Sequence, residues 1–410
     1  MSPAQDQKSA TACAKCGACL VVCPVYRQSR NEIHSARGKL HLLDVLGLDG
    51  HGPVFEEIFT GCLLCGACSE RCPRGIDITE LIRSARGAFP AVHGGHGYEK
   101  YLARKVLESP RLLKGLAKVA RLTGPRIAVS LPADSGLRLR LGIFERGVTE
   151  TDGPTVEKTA GEGAGRLLCF NGCSFTHLYP EISKSTQEVC ERFGYELAAP
   201  DKLRCCGLAA DSAGDRQTAA KLARQNITAL EEEQGPILVP CASCYSALVN
   251  YPNLFADEPQ WHQRAVQLTS RLLEVNSFLS SCLAECRSSR KKSRRKKVYY
   301  HHPCHLRFGA AATPPPVELL SEQLGMEMVK PDGDPACCGQ GGLFHIGEPE
   351  LSARIRTSLS TRVFSLEPEI ITTSCSGCLM QWIGAVHHRG APIAVKHPLE
   401  LVRDFLCSRS

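Results

Sequence analysis

The segment CAKCGACLVVCP, at residues 13–24, decides the fold of the N-terminal part of the chain, and CLLCGACSERCP at residues 62–73 repeats its pattern. Both segments follow C-x2-C-x2-C-x3-C-P, the cysteine spacing of two-cluster bacterial ferredoxins. Three closely spaced thiolates can wrap one face of an iron–sulfur cubane, while the cysteine before the proline binds the other cubane. The two segments therefore predict a helical, ferredoxin-like domain that holds two [4Fe–4S] clusters.

The ligands of the two predicted cubanes are crossed between the segments. The first cubane is predicted to bind Cys13, Cys16, Cys19 and Cys72, and the second is predicted to bind Cys62, Cys65, Cys68 and Cys23. Because this ligation joins two distant segments, cluster binding also contributes to folding. A pair of zinc sites is the alternative, but four-coordinate zinc gives no reason for a fourth cysteine before proline in both segments.

Length and cysteine content indicate a multidomain metalloprotein. The chain has 410 residues, enough for two or three domains, and 23 of them are cysteines. The N-terminus lacks the apolar stretch of a secretory signal, and no apolar run approaches the roughly 18–20 residues of a membrane span. We therefore expect a cytoplasmic protein that contacts the inner face of the cell membrane only peripherally, through partners. Cytoplasmic cysteines stay reduced, so their number favours metal binding over disulfides.

The net charge of +7 is concentrated in one segment, RKKSRRKK at residues 290–297, in which every residue except the serine is basic. A single basic run without interleaved aromatic residues does not form a nucleic-acid groove, so nucleic acid is not an expected partner. We interpret the run as a solvated linker. Its alternative role is to contact an acidic partner or an anionic lipid surface.

The C-terminal two thirds of the chain is an internal duplication. A pattern of one cysteine, a CCG and a CxxC occurs twice, with a nearly constant offset between the copies. The first set is Cys173, Cys205, Cys206, Cys241 and Cys244, and the second set is Cys304, Cys337, Cys338, Cys375 and Cys378. In each copy, short apolar runs alternate with amphipathic helical segments, which predicts an α/β module around a mostly parallel sheet.

The chemistry of these two CCG modules follows from the placement of the cysteines. Adjacent thiols reach one cofactor only if they lie in a turn, and Gly207 and Gly339 can supply the positive φ that such a turn needs. A CxxC at the start of a helix is expected to have lowered thiol pKa values. Five convergent thiolates suit a multi-iron cluster. A thioredoxin-like CxxC redox pair and cysteines that support folding without metal are the alternatives.

The predicted organisation is an α+β multi-domain chain. It consists of a two-cluster ferredoxin-like domain at 1–90, a helical connector at 91–163, the first CCG module at 164–286, a basic linker at 287–297 and the second CCG module at 298–410.

Several further residues have two interpretations. Arg37 and Lys39 either compensate cluster charge or are solvated helix charges, and His305 and His345 either assist the second cysteine set or are ordinary core or surface histidines. The remaining cysteines are interpreted as packing or surface thiols; they are Cys169, Cys190, Cys282, Cys286 and Cys407.

The order of these motifs resembles a known family. Two ferredoxin segments are followed by C-x31-CCG-x33-CxxC and by C-x32-CCG-x35-CxxC. This arrangement is similar to the CCG-domain iron–sulfur family, which includes the iron–sulfur subunits of glycolate oxidase and lactate utilisation and the D-type heterodisulfide reductase subunits. The resemblance covers residues 13–378. Glycolate oxidase subunits often lack one CxxC cysteine, whereas both sets are complete here, which favours functional CCG clusters.

The resemblance implies an iron–sulfur electron-transfer subunit of a multi-subunit oxidoreductase. In this role the chain relays electrons from an FAD-containing dehydrogenase of a 2-hydroxy acid, lactate or glycolate, to a downstream acceptor. The alternative is a heterodisulfide reductase-type subunit that reduces a disulfide at a noncubane [4Fe–4S] cluster held by a CCG set. A sensor role is disfavoured, because no output domain is recognisable.

The implied cofactors and partners follow from the same resemblance. The cofactors are two [4Fe–4S] cubanes, with one or two further noncubane [4Fe–4S] clusters in the CCG modules. This chain has no G-x-G-x-x-G after a strand, so the flavin is expected on a partner. The expected partner is the FAD-containing dehydrogenase subunit, and an electron-transfer flavoprotein, a ferredoxin or a membrane quinone-reactive protein are the further candidates.

Overall fold

The computed structural model describes residues 12–47, 52–116, 118–119, 165–285, 295–333 and 336–408. Cys286, most of the predicted connector and most of the basic segment lie outside these residues. Within the described part of the chain, no helix has both the length and the apolar character that crossing a membrane requires.

The N-terminal part is helical. Its α-helices are α1 (Ala18–Val22), α2 (Pro24–Ser29), α3 (Ala36–Leu46), α4 (Pro53–Thr60), α5 (Ala67–Glu70), α6 (Ile78–Gly87) and α7 (Gly97–Glu108). The Ser35 hydroxyl caps α3 by accepting a hydrogen bond from the amide of Gly38 at 3.0 Å. The helix ends at Gly47, its C-cap residue, which has φ of 64°. Phe55, Phe59 and Phe89 pack between α4 and α6 in the core of this part.

The first module is a parallel sheet with helices between its strands. Its elements are β1 (Gly165–Cys169), α8 (Gly172–His177), α9 (Pro180–Arg192), β2 (Tyr195–Ala198), α10 (Leu208–Ser212), α11 (Arg216–Glu231), β3 (Ile237–Val239), α12 (Ala242–Val249), α13 (Tyr251–Leu254), α14 (Pro259–Thr269), β4 (Leu272–Glu274) and α15 (Val275–Glu285). The strand order is β2-β1-β3-β4. Leu168 of β1 is in register with Ile237 of β3.

The second module repeats this architecture. Its elements are β5 (Lys297–Tyr300), a 3-10 turn (Cys304–Leu306), a π-helix (Glu318–Gln323), β6 (Glu327–Met328), α16 (Phe344–Gly347), α17 (Pro349–Phe364), β7 (Ile370–Thr372), α18 (Ser376–Arg389), β8 (Ala394–Lys396) and α19 (Pro398–Cys407). The strand order β6-β5-β7-β8 is parallel and matches that of the first sheet. The predicted α+β class and the duplication are therefore confirmed.

The three parts pack closely against one another. Helix α19 of the second module lies on α9 of the first, where Arg403 donates a hydrogen bond to the Ser185 hydroxyl at 2.9 Å. Helix α17 packs on α2 of the ferredoxin-like part, and Val25, Leu63 and Phe344 share one buried cluster there. The carboxyl ends of the strands, where cysteines follow β3 and β7, thus face the junction between the modules.

Candidate iron–sulfur sites

The structure gathers the eight N-terminal cysteines into two separate clefts. Cys13, Cys16, Cys19 and Cys72 line one cleft of about 360 Å³. Cys23, Cys62, Cys65 and Cys68 line another of about 410 Å³. These are the crossed sets that the spacing predicts, although ligation by them stays a prediction. Gly17 and Gly66, with φ of 82° and 83°, make the left-handed turn after the second cysteine of each segment.

The first cleft lies at the surface. Cys16 is exposed, while burial raises the pKa of Cys19. The Arg37 guanidinium donates to the carbonyl of Lys15 at 3.0 Å and forms an ion pair with Glu32 at 2.5 Å. Arg37 therefore fastens the loop that carries the predicted ligands, rather than extending freely into solvent.

The second cleft is deeper and contains a buried cation. Lys39 is 1% exposed, and its ammonium donates to the carbonyl oxygen of His34 at 2.8 Å. Burial lowers the pKa of Lys39, whereas the nearby Cys62 and Cys23 raise it. Of the two interpretations of Lys39, the structure favours charge compensation at a cluster site over a solvated helix charge.

The CCG cysteines lie where the sequence places them in both modules. Gly207 and Gly339 follow the paired cysteines with φ of 85° and 89°, so each pair lies in the expected turn. Cys241 and Cys375 are the N-cap residues of α12 and α18, separated by one and two residues, respectively, from the end of the third strand of each module.

The cysteines of each module come together in space. In the first module, Cys173 donates to the sulfur of Cys205 at 3.8 Å. Cys206 accepts from both Cys205 and Cys244. In the second module, Cys378 lies 3.2 Å from Cys338, measured between the sulfur atoms. Within each set, several sulfur atoms therefore lie in hydrogen-bonding contact with one another, and their binding of a metal centre stays a prediction.

The two cysteine sets also touch each other. Cys375 of the second module donates to Cys241 of the first. The serine inside each CxxC contacts the other module, since the Ser243 hydroxyl lies 2.9 Å from the sulfur of Cys375 and the Ser376 hydroxyl lies 3.3 Å from the sulfur of Cys241. The two candidate centres are thus neighbours.

The thiol pKa values divide into lowered and raised groups. Hydrogen bonds from the Cys205 and Cys244 thiols lower the pKa of Cys206 to about 5. A hydrogen bond from Cys244 is likewise the main reason that the pKa of Cys241 is lowered. The expected lowering is wrong for the other CxxC cysteines, because a hydrogen bond with a neighbouring sulfur is the largest cause that raises the pKa of each; they are Cys244, Cys375 and Cys378.

Polar residues that hold the CCG turns were missed by sequence reasoning. The buried Asn226 amide donates to the Cys205 carbonyl at 3.1 Å, and the Tyr251 hydroxyl donates to the Cys206 carbonyl at 3.1 Å. In the second module, the Ser352 hydroxyl donates to the Gly339 carbonyl at 2.8 Å. These residues lie far from the CCG motifs along the chain, so no local sequence pattern predicts their contacts with the turns.

One histidine beside the second set was also missed. The donor atoms of His301, Cys338 and Cys378 all lie within 4.8 Å of one another. The sequence signal was the pair of histidines directly before Pro303 and Cys304. His305, which was considered, lies instead at the junction, with its Nδ1 atom 3.4 Å from the Ser243 hydroxyl.

His345 lies farther along the second module, where its ring contacts the loop after the CCG. Its Nδ1 atom is 2.8 Å from the side-chain amide of Gln340 and 2.9 Å from the Gly342 carbonyl. His345 therefore contacts the loop after the CCG of the second module.

The second cleft of the ferredoxin-like part abuts the second module. Burial raises the pKa of Cys65. The nearby Cys304 raises it further, which shows that the two cysteines are close. A Cβ atom at Gly66 would lie 3.0 Å from Cβ of Phe308, so the two loops are in close approach.

Comparison with known proteins agrees with this arrangement. The 4Fe-4S dicluster domain family matches residues 9–76, and the cysteine-rich domain family, CCG, matches residues 167–249 and 298–382. Lactate utilization protein A of Shouchella clausii is 31% identical over 241 residues, covering 57% of this chain and 97% of the relative. The chain belongs to the CCG-domain iron–sulfur family. The probable glycolate oxidase iron-sulfur subunit of Bacillus subtilis is 26% identical over 407 residues, covering 94% of this chain and 91% of that protein.

The cysteines fit the clusters of a CCG-domain iron–sulfur protein. Every cysteine that the structure describes is a free thiol. Two clefts with four thiols each have the donor number of cubanes, and when bound, such clusters accept and release single electrons. Outside these sets, Cys169, Cys190 and Cys282 are buried in the first module, and Cys407 is partly buried in α19.

Proposed function

We propose that this chain is the iron–sulfur electron-transfer subunit of a multi-subunit oxidoreductase. It relays electrons from an FAD-containing 2-hydroxy acid dehydrogenase partner to a downstream acceptor. Lactate and glycolate are the proposed substrates of that partner, since they are the acids in the names of the relatives. A flavin releases two electrons whereas a cubane accepts one, so two cubanes on one chain suit the exchange.

The observation that carries this proposal is the continuous series of cysteine sites. It begins at the exposed Cys16, where a partner can approach the first cleft. The second cleft follows, and its Cys65 is close to Cys304 and Cys337 of the second module. The contact between Cys375 and Cys241 then continues the series into the first module. Such a sequence of neighbouring donor sets is suited to moving single electrons between the surface and the interior.

We further propose that both CCG modules hold a noncubane [4Fe–4S] cluster. Support comes from the completeness and convergence of the two sets of five cysteines. The same completeness favours a second candidate function, the reduction of a disulfide at a CCG-held cluster. The relay is preferred because the paired cysteines are buried: Cys205 and Cys337 are 8% and 9% exposed, which leaves little surface for a disulfide substrate.

The relay is tested by anaerobic co-expression of the full chain with an FAD-binding 2-hydroxy acid dehydrogenase from the same organism. Lactate or glycolate should then bleach the iron–sulfur absorption of the purified complex. The Cys72→Ser variant should lose this response, because it removes a predicted ligand of the surface cluster, whereas Cys407→Ser should retain it. Clusters that dithionite reduces but neither acid bleaches would refute the relay. Reduction of a thiol heterodisulfide by the chain alone, with an artificial donor, would establish the second candidate.

Iron analysis tests the loading of the modules. Cubanes alone give about eight irons per chain, and two additional four-iron clusters give about sixteen. We expect more than eight in anaerobically reconstituted protein. A value near eight would remove the claim for CCG clusters and leave the relay through the cubanes in place.

A further inference from the structure

The duplication allows the two modules to be compared position by position at the first strand. Phe170 directly follows β1 and donates its backbone amide to the Leu238 carbonyl of β3 at 2.9 Å. His301 directly follows β5 and donates its backbone amide to the Thr372 carbonyl of β7 at 2.8 Å. The two residues are therefore structural equivalents, and both are buried. Only the second module has a side chain with metal-binding atoms at this position.

The surroundings of His301 hold its ring in place. The residue is 1% exposed, and the ring packs edge-on against Trp382 at 5.7 Å between centroids, with the Tyr299 ring at 6.3 Å on another side. The Nδ1 atom of His301 has no hydrogen-bond partner among the residues that the structure describes. A buried polar atom without a partner is costly, by about 1–3 kcal/mol, so a role for this ring is expected.

The ring of His301 also lies beside two cysteines of the second set. The donor atoms of His301, Cys338 and Cys378 lie within 4.8 Å of one another, a spacing that permits binding to one metal ion. Cys338 belongs to the CCG and Cys378 to the CxxC, so the histidine joins the two ends of the predicted ligand set. Imidazole nitrogen is an established donor to iron, alongside cysteine thiolates, in mixed iron–sulfur centres.

We propose that His301 is a nitrogen ligand of the iron–sulfur centre in the second CCG module. The two modules then hold chemically different centres, with cysteine ligands alone in the first and mixed histidine and cysteine ligands in the second. Replacement of an anionic thiolate by a neutral imidazole raises the reduction potential of an iron–sulfur centre. His301 is an additional neutral donor beside the complete cysteine set, so its exchange for an anionic thiolate is expected to lower the potential of the second centre. This inference rests on the proposed cluster in the second module.

The test is pulsed electron paramagnetic resonance of the full chain, reconstituted anaerobically with iron and sulfide and poised so that the CCG centres are paramagnetic. We expect hyperfine coupling from a directly bound nitrogen, and we expect it to change when histidine is labelled with 15N. His301→Phe should abolish this coupling. The substitution introduces the residue of the equivalent position in the first module, so the fold has a precedent for it. His301→Cys should retain iron, lose the coupling and lower the potential of the second centre.

The matched control is His302→Phe. His302 is the next residue, and its ring lies against Tyr300 at 5.9 Å between centroids, so its loss should leave the coupling unchanged. Absence of nitrogen coupling in the wild type, or coupling that persists in His301→Phe, would overturn the proposal. Iron analysis separates the two levels of failure. About eight irons per chain would refute the CCG clusters and this ligand together, whereas more than eight irons without nitrogen coupling would refute the ligand alone.

Discussion

At the scale of single residues, Arg86 shows how one buried cation can join separate parts of the chain. Its guanidinium donates to the Phe59 carbonyl at 2.9 Å and to the Cys62 carbonyl at 2.7 Å, both in the ferredoxin-like part. It also donates to the Ser212 carbonyl at 2.5 Å, in the first module. Burial lowers the pKa of Arg86 to about 10. The side chain therefore fixes the loop of a predicted cluster ligand against a neighbouring module.

We predict that Arg86→Met destabilises the protein by about 3–5 kcal/mol, because several buried carbonyl groups lose a charged donor at once. The thermal unfolding midpoint of the reconstituted protein, followed by circular dichroism, should fall by about 5 °C or more. The second cubane should also be lost more readily, since the carbonyl of Cys62 is released.

Arg83→Met is the control on the same helix. Arg83 forms ion pairs with Glu80 and Asp211 and is 27% exposed, whereas Arg86 is 7% exposed, so the loss of Arg83 should destabilise the protein less than the loss of Arg86. Equal falls in the midpoint for the two variants would contradict a special role of Arg86.

At the scale of elements, the CCG turn is the same in both modules but is packed differently. Gly207 and Gly339 both have positive φ, so alanine at either position costs about 1–2 kcal/mol in backbone strain. A Cβ atom at Gly207 would lie 3.4 Å from its nearest neighbour, in Ala219. A Cβ atom at Gly339 would lie 2.7 Å from the Ser352 carbonyl oxygen, which is shorter than the van der Waals contact distance of the two atoms.

We predict that Gly339→Ala displaces helix α17 from the turn and prevents the second module from holding its iron. Gly207→Ala shares the backbone strain without the clash, so it should retain most of the iron of the first module. Iron per chain after anaerobic reconstitution, with circular dichroism to verify folding, measures the difference. The same iron loss in both variants would show that strain, and not the contact with Ser352, controls the turn.

The helices and turns also show which local features can be predicted from the sequence. The CCG turns and the CxxC helix starts were predictable, because glycine, cysteine spacing and a preceding strand act within a few residues. The amphipathic segments of both modules were expected to form ordinary helices, but residues Glu318–Gln323 form a π-helix, in which Leu319 and Leu320 are buried. The lowered pKa was expected for every CxxC thiol, but only Cys241 has it, because hydrogen bonds among the buried sulfur atoms, first with Cys244 and then with Cys375, lower its pKa.

At the scale of the whole molecule, the contacts that matter join residues far apart in sequence. Ser243 touches Cys375 and Arg86 touches Ser212, and neither contact has a local pattern. The duplicated spacing predicts two similar sheets, but not that their cysteine sets meet. Nor does it predict that the second module adjoins the Cys65 loop. These arrangements depend on packing between domains, which hydrophobic periodicity within one element does not specify.

The junction between the ferredoxin-like part and the second module depends on Gly341. A Cβ atom there would lie 2.4 Å from Cδ2 of Leu63 and 2.9 Å from Cβ of Phe344. Leu63 lies between two predicted ligands of the second cubane, Cys62 and Cys65, so any displacement of its loop moves that site. We predict that Gly341→Ala separates the two sites and slows electron transfer from the cubanes to the second module several-fold, because electron tunnelling weakens steeply with distance.

Gly342→Ala is a close control for this substitution, since Gly342 also has positive φ, at 60°, and its Cβ would lie 3.5 Å from the Ser212 hydroxyl, an ordinary contact. Both variants therefore carry backbone strain, but only one carries the clash at Leu63. Rapid mixing of the reconstituted chain with a limiting reductant, followed by freeze-quenching and paramagnetic resonance, measures how fast the second centre is reduced after the cubanes. Slow reduction in Gly341→Ala together with near-normal reduction in Gly342→Ala is the expected result. If both variants transfer electrons at the rate of the wild type, the contact between Leu63 and Gly341 does not set the path, and electrons reach the CCG modules by another route.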